Sequence, residues 1–166
     1  PGVGGHCLPV DPAYLGWRVK RETGQAFRFV DLANDINDHM PRYVVQRVAH
    51  SLNERRKSVN GARILVLGFT YKPNSGDIRE TPCHPIVEQL LSLGGDVTVV
   101  DPFVASATAL PDGAHLGDHR DPGSGYDLAV QLTHHDDFAL VDWTRHAEAV
   151  LDTRGRFTPA PNVELL

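Results

Sequence analysis

At 166 residues and 41% hydrophobic content, the chain is long enough for one ordinary core, with or without an appendage. A net charge of −5, scattered basic residues and no apolar run near ~18 residues argue against a nucleic-acid surface or a membrane-spanning helix, and no secretory leader pattern is visible. With Cys7 and Cys83 as the only cysteines, a disulfide scaffold is not expected and a reducing cytoplasm is the default. Charge is unevenly spread: residues 1–60 carry nine Lys/Arg against six Asp/Glu, residues 61–166 seven against fifteen, which suggests two structurally different pieces.

The chain opens on Pro1-Gly-Val-Gly-Gly-His-Cys7-Leu-Pro-Val-Asp11-Pro12. Glycines let a ligand approach the main chain closely, and a cysteine behind them with a carboxylate four residues on is a candidate nucleophile. Asp11-Pro12 reads as N-cap and first helical residue, which places Cys7 just before a helix over 12–23, with Gly24 as its stop. That helix end favours negative charge on the sulfur and Asp11 opposes it. Nothing precedes the loop to fix it, so the chain reads as a piece of a longer protein.

A long helix is expected from about Phe29 to Lys57, with apolar residues at three- and four-residue spacing and a kink or interruption at Pro41. At about 40 Å it outruns a small domain and needs a partner along its length. From Gly61 the rhythm changes to strand (Ala62–Leu67), loop (69–80), helix (82–93), strand (96–101), loop with a short strand near 114–116, strand (127–132) and a last strand (147–152). This alternation implies βαβ units and a parallel α/β sheet.

Ligands of such a sheet sit beyond the carboxyl ends of its strands. The first of those ends lacks a dinucleotide glycine fingerprint and instead carries Tyr71, Lys72 and Arg79, suited to stacking on a base and neutralising phosphates. Asp101 closes a strand as a ribose contact or, equally, a cap. Adjacent His134 and His135 point to opposite sides and do not suggest a metal site. Cys83 opens a helix and reads as a packing residue.

Three motifs in this order, Gly2-Val-Gly-Gly-His-Cys7-Leu-Pro-Val-Asp11-Pro, Ala33-Asn-Asp-Ile-Asn37 with Met40-Pro41, and Gly68-Phe-Thr-Tyr-Lys-Pro-Asn-Ser-Gly-Asp-Ile-Arg79-Glu, closely resemble the UDP-glucose/GDP-mannose dehydrogenase family of nucleotide-sugar 6-dehydrogenases. The resemblance covers essentially the whole chain and implies a central helical dimerisation region (1–60) and a Rossmann-like UDP-sugar-binding domain (61–166), without the family's N-terminal NAD-binding domain. It implies oxidation of a sugar C6 alcohol to the acid with two NAD⁺ reduced in turn, in polysaccharide biosynthesis, by a homodimer joined through the long helix. Cys7 matches the nucleophile that holds the C6 aldehyde as thiohemiacetal and then thioester, and Asp11 the base that assists hydrolysis. Gly4 and Gly5 match the substrate-side glycines, Tyr71 and Lys72 a pair at the uracil and phosphates, Arg154 an arginine near the uridine, and Arg79 one that reaches the cofactor. His6 and Val10 stand where the UDP-glucose branch often has serine and lysine, so UDP-GlcNAc or UDP-ManNAc is the expected substrate. Alternatives are a nucleotide-sugar-binding or dimerisation module without catalysis of its own, and an acyl-transfer cysteine enzyme, for which no histidine has the context of a base.

Overall fold

The computed structural model describes residues 1–166, the side chain of Pro9 excepted. Helix α1 (Cys7–Thr23) and helix α2 (Arg28–Glu54) come first, followed by strand β1 (Arg63–Leu67), helix α3 (Cys83–Ser92) and strands β2 (Asp96–Val100), β3 (His115–Leu116), β4 (Leu128–Gln131), β5 (Val150–Asp152) and β6 (Val163–Leu165). All six strands are parallel, in the order β3-β2-β1-β4-β5-β6. That order is one of the two-way windings whose ligand crevice lies where strand order reverses, here between β1 and β4.

The strands are continuous apolar runs because both faces of the sheet are covered. On one face α3 and the second half of α2 bury Val44, Val48, Leu52, Ile86, Val87 and Leu90 against Ile64, Val66, Val99 and Val130. On the other, short 3-10 turns over Asp136–Leu140 and Trp143–Arg145 place Phe138 and Trp143 over Leu65, Leu67 and Val150. The α/β class and the parallel sheet expected from the sequence are present. One strand was not foreseen: β6 adds to the edge at β5, and its Glu164 takes a hydrogen bond from Ser51 (2.8 Å) and an ion pair from Arg55 (2.7 Å), tying α2 to the far sheet edge.

Two local expectations are corrected. Helix α1 begins at Cys7 and not after Asp11, so Pro12 lies inside it and Cys7 is its first residue. Helix α2 is not interrupted at Pro41, which lies buried inside it although its ring removes one ladder donor. Among the described residues no helix is long and apolar enough to cross a membrane.

Candidate functional site

The glycine loop is held from two sides. Asn37 of α2 grips Val3 as a strand neighbour would, accepting its N–H at Oδ1 (2.7 Å) and donating Nδ2–H to its carbonyl (2.9 Å). On the other side, Gly5 N–H donates to the Arg79 carbonyl (3.2 Å). A Cβ on Gly4 would stand 2.5 Å from the Glu80 carbonyl oxygen, and one on Gly5 (φ +83°) would stand 2.7 Å from a Tyr71 ring carbon. Only glycine fits between the loop and this surface. The loop thereby delivers Cys7, which is exposed, to the first turn of α1, two residues beyond the Gly5 amide that is bonded to the Arg79 carbonyl. Asp11, also exposed, lies one turn on; residues i and i+4 share a helix face, so carboxylate and thiol look the same way. The shift of the helix start is what brings them onto one face.

The segment after β1 supplies the facing wall. Tyr71 N–H donates to the Asp77 carbonyl (3.1 Å), closing the segment on itself, and the Lys72 ammonium lies 5.5 Å over the Tyr71 ring. The Arg79 guanidinium forks onto Asp77, Nε to Oδ1 at 2.9 Å and Nη2 to Oδ2 at 2.6 Å. Those bonds pull the Asp77 carboxyl from its ordinary 3.8 down to about 2 and push Arg79 further up.

Arg154 stands across the glycine loop. A cleft of about 550 Å³ is lined by Gly2, Val3, Ala33, Asn37, Met40 and Arg154 among others. The arginine spends Nε–H on the Leu132 carbonyl (2.7 Å), and Asp152 orders the turn behind it by accepting from the Arg154, Gly155, Arg156 and Phe157 amides. Burial lowers its pKa, and among the described residues no carboxylate neutralises it. A half-buried guanidinium in a cleft without a counter-charge is a receptor for an anion or a carbonyl-rich ring.

Cys7, Asp11, Gly4, Gly5, Tyr71 and Arg79 thus form one neighbourhood, with the exposed Lys72 on the Tyr71 face. Arg154 joins it through the cleft that it shares with Gly2 and Val3 of the glycine loop and with Leu8, the neighbour of Cys7. Cys83 is fully buried at the start of α3, where burial raises its thiol pKa, in keeping with a packing role. Asn37 carries a clamp that the sequence did not announce, although its motif is quoted above. Asp101 is a cap: it accepts from the Phe69 (2.7 Å), Thr70 (3.1 Å) and Phe103 (2.8 Å) amides and from buried His135 (3.0 Å).

Comparison with known proteins is consistent along the chain. Residues 65–159 match the UDP binding domain of the UDP-glucose/GDP-mannose dehydrogenase family. An NDP-N-acetyl-D-galactosaminuronic acid dehydrogenase of Ralstonia nicotianae is 32% identical over 160 residues, 95% of this chain and 36% of that protein. A UDP-N-acetyl-D-mannosamine dehydrogenase of Escherichia coli is 30% identical over 162 residues, 93% of this chain and 38% of that one. The solved NDP-N-acetyl-D-galactosaminuronic acid dehydrogenase of Methanosarcina mazei superposes with a TM-score of 0.83 at 26% identity, covering 99% of this chain and 38% of that structure. The chain spans less than two fifths of the length of these relatives.

Proposed function

We propose that this chain, which belongs to the UDP-glucose/GDP-mannose dehydrogenase family, supplies the nucleophile loop and the nucleotide-sugar-binding half of an NAD-dependent UDP-sugar 6-dehydrogenase. Residues 1–60 are its nucleophile loop and dimerisation arm, residues 61–166 its UDP-sugar-binding domain, and a nicotinamide-binding domain lies outside the 166 residues. We take the substrate to be a UDP-N-acetylhexosamine, UDP-GlcNAc or UDP-ManNAc, and the enzyme to be cytoplasmic; the relatives named for UDP-N-acetyl-D-mannosamine support the N-acetylhexosamine class.

The observation that carries this reading is the glycine loop pressed onto Tyr71 and Arg79, with Cys7 and Asp11 one helical turn apart and open to solvent. The Cys7 sulfur adds to the C6 aldehyde and keeps the carbon tethered between the two oxidations, so that a reactive aldehyde is not released. Once the tether is a thioester, Asp11 takes a proton from the attacking water, and the sulfur leaves as thiolate with release of the acid. Tyr71 offers its ring to the base, Lys72 its charge to the diphosphate, and Arg154 an unpaired guanidinium to the nucleoside side of the cleft. For the cofactor this chain offers one exposed cation, Arg79; the segment after β1 has no dinucleotide glycine fingerprint and is closed by its own hydrogen bonds. NAD, when bound, supplies the hydride acceptor; the side chains of this chain contribute positioning, covalent holding and proton transfer.

The test is product analysis with a panel of UDP-hexoses on the complete protein. Wild type should convert a UDP-N-acetylhexosamine to the uronic acid, and Cys7→Ala should yield no acid. Acid formation at the normal rate by Cys7→Ala overturns the mechanism.

A further inference from the structure

The Tyr71–Lys72 segment hangs on a polar strut made of buried Asp101 and His135 and the exposed Asn74. Both acid and imidazole have fully buried side chains, and His135 Nε2 lies 3.0 Å from Asp101 Oδ2. Nδ1 of the same ring accepts the backbone N–H of Asn74 (3.0 Å), so Nε2 carries the hydrogen and donates it to the carboxylate. Asn74 sits in the left-handed region (φ +55°), which asparagine tolerates better than most residues with a Cβ, and it is supported there from outside. It receives that support twice, from His135 at its amide and from a reciprocal pair with Asp136, Nδ2–H to the carboxylate at 2.8 Å and the Asp136 N–H to Oδ1 at 3.0 Å. The rest of the strut is equally pinned. Asp101 takes the Phe69 and Thr70 amides at the near end of the segment, and the rings of Phe103 and Phe138 lie 5.1 Å from the imidazole on two sides. Lys72 and Tyr71 lie between the two fixed points, Thr70 and Asn74.

We propose that His135 is a positioning residue for nucleotide binding: by presenting Nδ1 to the Asn74 amide from a ring set in place by Asp101, it holds Tyr71 and Lys72 in the register that meets a nucleoside diphosphate. This rests on the function proposed above, since it assumes that Tyr71 and Lys72 contact the nucleotide. A residue that packs without this role would change stability alone. One that acts through the segment must lose its effect on binding when the contact it positions has already been removed.

The experiment is calorimetric titration of UDP into this 166-residue chain and its variants. His135→Phe keeps the ring volume and removes the hydrogen bonds to Asp101, Asn74 and the Thr70 hydroxyl (3.3 Å); UDP affinity should fall about tenfold in the wild-type background and less than about twofold in a Lys72→Ala background. His135→Asn places an acceptor where Nδ1 was and should bind UDP within about threefold of wild type, whereas His135→Gln restores only the donor toward Asp101 and should not. Asn and Gln decide the matter if the Phe variant does not fold. Equal affinity of His135→Phe and wild type, full additivity with Lys72→Ala, or equal affinities of the Asn and Gln variants overturns the inference. Failure of the unsubstituted chain to bind UDP overturns the nucleotide reading and this inference with it, a pattern distinct from wild-type binding that His135 does not affect.

Discussion

One helix has two fates in this molecule. The second half of α2 buries Val44, Val48 and Leu52 completely, whereas in its first half Phe29, Leu32 and Ile36 remain 76%, 56% and 56% exposed. Helix α1 shares the second fate, with Leu8, Tyr14, Leu15 and Trp17 all more than half exposed. Apolar spacing is similar in both halves; the difference is the presence of a sheet beneath one and not the other. Helical periodicity therefore reports that a face wants a partner, not that the partner is in the same fold. The body, built on six strands, is complete in itself. The arm made by α1 and the first half of α2 is not, and the proposed function gives its exposed stripe to a second copy of the chain.

The sharpest way to break this comparison is one truncation in each region. Leu90→Ala removes a fully buried side chain wedged between α3 and the sheet and should lower stability by about 2–5 kcal/mol in chemical denaturation. Leu32→Ala, on the arm, should change monomer stability by no more than about 0.5 kcal/mol. Comparable losses at both sites would mean that the arm is packed within a single chain.

A smaller effect on folding, but a larger one on association, is expected from Phe29→Ser, Leu32→Ser and Ile36→Ser combined. Sedimentation velocity should show wild-type dimer converted to monomer, with the circular dichroism of the sheet body retained. A monomeric wild type at the same concentration removes the assignment of the stripe.

The body was largely legible in the sequence because its strands are short unbroken apolar runs closed by Gly68, Asp101 and the turn at Thr153, each a local signal. What escaped was decided over distance. Strand β6 is three residues behind Pro159 and Pro161, and only its pairing of Val150 with Val163 and the reach of Arg55 to Glu164 make it a strand. The start of α1 was misplaced because Asp11-Pro12 is a sound local N-cap signature that tertiary anchoring overrode: Asn37 and Arg79 fix the glycine loop, and the chain is helical from Cys7 onward. In the candidate site, residue types were readable but their grips were not. His135 was weighed only beside His134, and Asp101 only as a contact or a cap. Their pairing spans 34 residues, and the bond from Asn74 to the same imidazole spans 61, so no local pattern could disclose either.

The weakest expected effect lies at the seam between arm and body, where the glycine loop meets Arg79. The Asp77–Arg79 fork is exposed on the arginine side, so it fixes the guanidinium on Asp77 without contributing much to stability. The direction of its pH response still follows. Hydrogen bonds from the Arg79 side chain and backbone hold Asp77 at about 2 against an ordinary 3.8, so the contribution of the pair is fully present above pH 3.8 and is lost as pH falls toward 2. A side-chain carboxyl titration by NMR should place Asp77 at about 2 in wild type and return it toward 3.8 in Arg79→Gln. Because the fork sits where the loop lies on the body, the same substitution should leave the titration of Asp127, which is held at the far end of the sheet by Lys57 and the Arg63 amide, unmoved. A shift of both carboxylates would mean that Arg79 supports the body as a whole and is not a local part of the seam.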